Sequence, residues 1–230
     1  MQTGIAGNLE KVRQGIGRAA ALAGRTPAEI ELVAVTKTVS VARIEEAVEA
    51  GITVVGENRV QELVEKYNSI GSRVRWHLIG HLQTNKVKYV VDKVSLIHSL
   101  DRLSLAEEIS RQATKVGTVV NCLVQVNVAE EESKFGLPVS NIEPFVREVS
   151  TIPGLRVQGL MTIGPFTDDP EEVRPVFREL RRIFEQMKQA RIAGVEMRYL
   201  SMGMSGDYQV AIEEGANIVR VGSAIFGMRR

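Results

Sequence analysis

The chain has 230 residues, with 29 Lys+Arg against 28 Asp+Glu for a net charge of +1, 44% hydrophobic residues and 25% charged ones. This balance is that of an ordinary globular protein and offers no basic tract for nucleic acid and no block of like charge for a membrane surface; the length fits one large α/β barrel or two small domains. A single cysteine, Cys122, excludes an internal disulfide. No apolar run approaches the roughly 18 residues of a spanning helix and the N-terminus has no continuous apolar core, so a cytoplasmic location is expected.

Apolar residues at Leu9, Val12, Ile16, Ala19 and Ala20 predict a helix over about Gly7–Ala23, ended by Gly24 and Pro27. GIGRAA at Gly15–Ala20 matches a dinucleotide fingerprint in letters only, because it lies inside this helix instead of after a strand. From there short β-branched runs alternate with amphipathic stretches. Strands are expected at Glu31–Val35, Thr53–Val55, Arg75–Ile79, Leu96–Ser99, Val119–Asn127, Val157–Leu160, Arg198–Leu200 and Ile218–Val221. Helices are expected at Val41–Ala50, Arg59–Tyr67, Thr84–Val91, Leu103–Val116, Val139–Ser150, Pro170–Ala190 and Tyr208–Glu214, with Gly51 and Gly215 at C′ positions. Eight strands, seven intervening helices and one leading helix give the count of a (β/α)₈ TIM-type barrel with an extra N-terminal helix; an open doubly wound sheet uses similar units. With no linker or repeat, residues 1–230 read as one domain.

Parallel barrels gather their binding groups at the C-terminal ends of the strands. Three segments of this chain fall there. AVTKTVS places Lys37 just past the first strand, LSMGMSGD follows the seventh, and VRVGSAIFG runs through the eighth. Ser205 is expected to N-cap the helix after strand seven, Gly206 to let a ligand approach the backbone, and Gly222 and Ser223 to add donors, together forming a phosphate site. Each loop alone is equally an ordinary glycine-containing turn. A lysine at a strand end is usually a solvated surface group, but in a closed barrel strand one lies beside strand eight, and Lys37 then sits next to the phosphate loops. Lysine beside a phosphate cradle is the minimum arrangement for an imine with pyridoxal 5′-phosphate (PLP). On strand eight Ile218, Arg220 and Gly222 share one face. An inward Arg220 needs a partner, either a structural carboxylate or the pyridine nitrogen of that cofactor. In the second case the arginine, which cannot accept a proton, keeps the nitrogen unprotonated and the ring a weak electron sink.

The motifs AVTKTVS, VVGENRVQE (Val54–Glu62), WHLIGHLQTNK (Trp76–Lys86), HSLDR (His98–Arg102), VQVNVAEEESKFG (Val124–Gly136), GLMTIGP (Gly159–Pro165), LSMGMSGD (Leu200–Asp207) and VRVGSAIFG (Val219–Gly227) run nearly end to end. With them the chain resembles the pyridoxal-phosphate homeostasis family, whose fold is similar to the N-terminal barrel of alanine racemase, a fold-type III PLP arrangement. The resemblance implies that Lys37 is the cofactor lysine and that Ser201, Ser205, Gly222 and Ser223 surround the phosphate. It further implies that Arg220 faces the pyridine nitrogen and that Asn58 and His81 line the pocket. It also implies a role in PLP homeostasis, with PLP-dependent apo-enzymes as partners and no defined turnover. The chain ends at Arg230, a few residues past the strand-eight loop, which leaves no room for the β-rich second domain of alanine racemase. The expectation is therefore a monomeric PLP-binding protein, with a low-activity amino-acid racemase as the alternative and a Schiff-base aldolase as a remote third. His77 and His81 straddle a strand and its loop and do not form a zinc motif. Glu130–Glu132 reads as a solvated loop, and Arg174–Lys188 as the outer face of a surface helix.

Overall fold

The computed structural model describes residues 4–131 and 135–227. Glu132, within the acidic loop and the VQVNVAEEESKFG motif, and Arg230 lie outside them. The strands are β1 (Glu31–Val35), β2 (Val54–Glu57), β3 (Arg75–Leu78), β4 (Leu96–Leu100), β5 (Val120–Gln125), β6 (Leu155–Met161), β7 (Tyr199–Ser201) and β8 (Ile218–Val221). They close into a barrel in chain order, every neighbouring pair parallel. Closure comes from β1 on β8, with Glu31 opposite Ile218, Val33 opposite Arg220 and Ala34 opposite Val221. The open-sheet alternative is thereby removed.

Around the strands run α1 (Ile5–Leu22), α2 (Val41–Glu49), α3 (Val60–Ile70), α4 (Leu103–Val116), α5 (Ile142–Val149), α6 (Arg174–Gln189), α7 (Tyr208–Glu213) and α8 (Ser223–Phe226). Their apolar stripes bury against the outside of the barrel, as Phe177, Leu180, Ile183, Phe184 and Met187 do on α6. On the opposite face of α6, Arg182 pairs with Glu179 and Arg181 with Glu185. Gly51 and Gly215, with φ of +91° and +102°, stand just past α2 and α7, where a left-handed residue ends a helix.

One expected helix differs in kind. After β3 the chain forms a 3₁₀ helix over Thr84–Tyr89, with Lys86 N–H donating to Gln83 O and Val90 N–H to Val87 O. The segment is too short and too narrowly apolar to repay an α-helical nucleus, so a tighter i→i+3 turn suffices to bury Val87 and Val90. The long expected segments Val139–Ser150 and Pro170–Ala190 likewise begin with 3₁₀ turns, at Val139–Asn141 and Pro170–Val173. Inside the barrel Val33, Val54, Leu96, Leu123, Met161 and Ile218 pack together, while Val219 and Val221 face the helices. That split agrees with the two faces read from strand eight. Arg220 therefore points inward. Among the described residues no helix is long and apolar enough to cross a membrane.

Candidate functional site

Lys37 sits in the turn that leaves β1, half-buried. The next residue, Thr38, has φ of 60°, a left-handed conformation that a β-branched residue rarely adopts. A clamp holds it there. Thr38 N–H donates to Glu62 Oε2 at 2.7 Å, Thr36 Oγ1 donates to Glu57 Oε1 at 2.6 Å, and Lys66 Nζ donates to Thr36 O, Glu57 Oε1 and Glu62 Oε2 at 2.7, 2.7 and 3.1 Å. Burial raises the Glu57 carboxyl above the usual carboxylate range, against the opposing pull of its bonds to Lys66 and Thr36. Sequence reasoning missed all four clamp residues. Its available signal was Glu62 and Lys66 at i, i+4 in the helix that begins within the VVGENRVQE segment.

The loops after β7 and β8 meet at Ser205. Its Oγ accepts from Gly222 N–H at 3.1 Å and from Ala224 N–H at 3.3 Å. The expectation that Ser205 caps its own helix is corrected, because α7 begins at Tyr208 with Asp207 at the N-cap position. Ser205, three residues earlier, reaches across to the start of α8 instead. Gly222 packs closely against β1: a Cβ there would lie 3.2 Å from Val35 Cβ and 3.3 Å from Val35 O, so the two strands would have to give by a few tenths of an ångström to admit a side chain. A Cβ on Gly206 would meet nothing within 4 Å, because that residue borders open space.

That space is a cavity of about 640 Å³ whose wall includes Lys37, Asn58, Ser205, Gly206, Arg220, Gly222 and Ser223, within the range of small-molecule sites. Asn58 Oδ1 is a buried acceptor without a hydrogen-bond partner among the described residues. A second hollow, of about 820 Å³, lies at the other end of the barrel between Arg13, Glu31, Arg75, Arg198 and Asn217. Barrels carry stabilising groups at that end and binding groups at the first.

Arg220, 4% exposed, donates to Ser201 Oγ at 2.5 Å and to Thr162 O at 2.8 Å. Burial lowers its pKa to about 10, with Asp207 opposing, so the guanidinium stays charged at neutral pH. Behind it a buried chain continues: Ser201 Oγ to His98 Nδ1 at 3.0 Å, then His98 Nε2 to His77 Nδ1 at 3.0 Å. Burial drives the His77 pKa down to about 3, aided by Arg75, and holds His98 well below the ordinary value, aided by His77 and Arg220. Both rings are therefore neutral near pH 7.

Six of the eight expected residues, Lys37, Asn58, Ser205, Arg220, Gly222 and Ser223, converge on the one cavity. Ser201 is not on its wall. Fully buried and bonded to Arg220 and His98, it lies behind the arginine, since β7 ends there and its side chain turns to the barrel axis. His81 is also off the wall, stacked on Phe135 with ring centroids 4.0 Å apart and facing Asp101 at 3.7 Å.

A closed parallel barrel carrying a lysine past β1 and an arginine on β8 defines a class, and the sequence profile described as alanine racemase, N-terminal domain, matches residues 8–230. Within that class the chain is 45% identical to the pyridoxal phosphate homeostasis protein of Aquifex aeolicus over 223 residues, 96% of this chain and 97% of that one. It is 39% identical to the protein of the same name from Escherichia coli K12, over 98% and 97% of the two chains. The solved structure of PipY from Synechococcus elongatus with PLP bound superposes with a TM-score of 0.83 at 32% identity, over 97% of this chain and all of that one. The chain belongs to the pyridoxal phosphate homeostasis family.

Proposed function

We propose that this chain, acting as one domain, holds PLP through an imine on Lys37 and serves its homeostasis. The observation that carries the reading is that Lys37, in the turn after the first strand, and Arg220, on the last, border the same cavity as the Ser205–Gly222 junction. PLP supplies an aldehyde that condenses with a lysine amine and a pyridine ring that draws electrons. The residues present fit it. Ser205 Oγ, which accepts from the amides of Gly222 and Ala224, keeps its own hydroxyl proton to donate, and Ser223 borders the same wall, so the two hydroxyls form a pair of donors suited to a phosphate. Asn58 offers an unmet acceptor on the wall. Arg220, a charged donor fixed by Ser201 and Thr162, can give a hydrogen bond to a ring nitrogen but take no proton from it. It would thus favour holding the cofactor over drawing electrons through it.

The titratable side chains bordering the cavity among the described residues are Lys37, Asp207 and Arg220, and Asp207 accepts from Met204 N–H. This favours a carrier over a racemase that needs two bases. A monomer is part of this reading, and the buried cysteine needs no oxidising compartment, in keeping with the cytoplasm. We infer PLP-dependent apo-enzymes as recipients. Borohydride reduction followed by peptide mapping is the test. A reduced adduct on Lys37 that vanishes in Lys37→Ala is expected, and an adduct elsewhere, or none, overturns the reading. Deuterium exchange at the α-carbon of alanine by the loaded protein would instead establish the racemase.

A further inference from the structure

The histidine chain behind Arg220 does not end at His77. His77 Nε2 faces Glu31 Oε1 at 3.7 Å, and Glu31, at the start of β1, borders the hollow at the opposite mouth of the barrel. Arg220 borders the cofactor cavity. A single line of polar groups thus crosses the barrel interior from one mouth to the other, through side chains from β1, β3, β4, β7 and β8.

Its direction follows from what each group can donate. A carboxylate only accepts. Though 3.7 Å is too long for a hydrogen bond, the negative charge still favours a proton on the facing nitrogen, Nε2 of His77. A neutral His77 then has a bare Nδ1, which must accept from His98, so His98 carries its proton on Nε2. That leaves His98 Nδ1 bare to accept from the Ser201 hydroxyl, and both Ser201 lone pairs turn toward Arg220. Without the carboxylate the reverse order satisfies the two histidines equally well. It would aim a His98 N–H at Ser201, leaving the serine hydroxyl proton without its acceptor beside a guanidinium.

We propose that Glu31 is a remote positioning residue that sets Arg220 by fixing the tautomers of His77 and His98 and so the direction of the Ser201 hydroxyl. The consequence for the cofactor rests on the PLP reading; the tautomers do not. Glu31 also pairs with Arg75 at 2.6 Å through its other oxygen, an exposed bridge that provides the control.

The test is long-range ¹H–¹⁵N spectroscopy of the imidazoles in the ligand-free protein at neutral pH. Both rings are expected as the Nε2–H tautomer in the parent, in Arg75→Gln and in Glu31→Gln, which keeps an acceptor, and as mixtures in Glu31→Leu. An Nδ1–H or protonated ring in the parent, or unchanged single tautomers in Glu31→Leu, overturns the proposal. With PLP added, Glu31→Leu is expected to shift the imine absorbance and quicken cofactor release several-fold, whereas Arg75→Gln leaves both in place. Unaltered absorbance and release in Glu31→Leu also overturn the positioning role. Absence of an imine in the parent, with the tautomers as stated, instead sinks the PLP reading and leaves the tautomer assignment standing.

Discussion

Arg220 keeps a full charge inside the barrel with two neutral acceptors, and such a charge makes its partners costly to remove. Ser201→Ala would leave one guanidinium N–H and His98 Nδ1 without partners, an expected loss of about 1–3 kcal/mol in urea denaturation. The two histidines make stability depend on acid. Folded His77 takes up a proton only near pH 3, whereas an unfolded histidine does so near 6.5, so between those values the unfolded state binds more protons. Stability is fully present above about pH 6.5 and falls with pH below it, by up to about 1.4 kcal/mol per unit for each such ring. Denaturation midpoints at pH 7, 6 and 5 check this, and a flat profile would show that the rings are hydrated. The inward turn of Arg220 is legible from the period of two that groups it with Ile218 and Gly222. Its partners are not, because Thr162, just past β6, and Ser201, on β7, are far from it in sequence and meet it only when the barrel closes.

At the scale of elements, α3 does more than cover the barrel. Through Lys66 and Glu62 it grips the turn that carries Lys37. Lys66→Met would leave Glu57 buried beside no cation, an expected loss of about 3–5 kcal/mol. Where the variant still folds, it should trap less reduced cofactor on Lys37, because Thr38 would leave its left-handed conformation. Packing of α6 gives a second check: Phe177→Ala, at a fully buried ring, should cost about 3–5 kcal/mol with an unchanged denaturant slope. Strand positions were legible from β-branched runs, and β1 and β8 from their very ends. Other ends depend on neighbours that periodicity cannot see. The run Val119–Asn127 stops pairing as a strand at Gln125, after which Val126 N–H goes to Met161 O and Asn127 N–H to Leu137 O.

Over the whole molecule, the candidate site straddles the β1–β8 junction. A ligand bound to the folded barrel alone raises its melting temperature as ligand concentration rises, by mass action. Added PLP is therefore expected to raise the melting temperature of the parent in a concentration-dependent way and that of Lys37→Ala much less, as differential scanning fluorimetry would show. Equal shifts in the two would mean that the lysine contributes little to holding the ligand. The barrel class was legible because eight strand signals alternate with helical ones. The two-ended polar line through its centre was not, because Glu31 reads in sequence as the solvated first residue of a strand.

The β1–β8 junction has a further consequence, for the order of events at the ribosome. Lys37 leaves the ribosome well before Arg220, and neither half of the pocket has its wall until the eighth strand docks against the first. A growing chain can therefore present the lysine to its surroundings but not the cavity that encloses it. Only a closed barrel has a pocket.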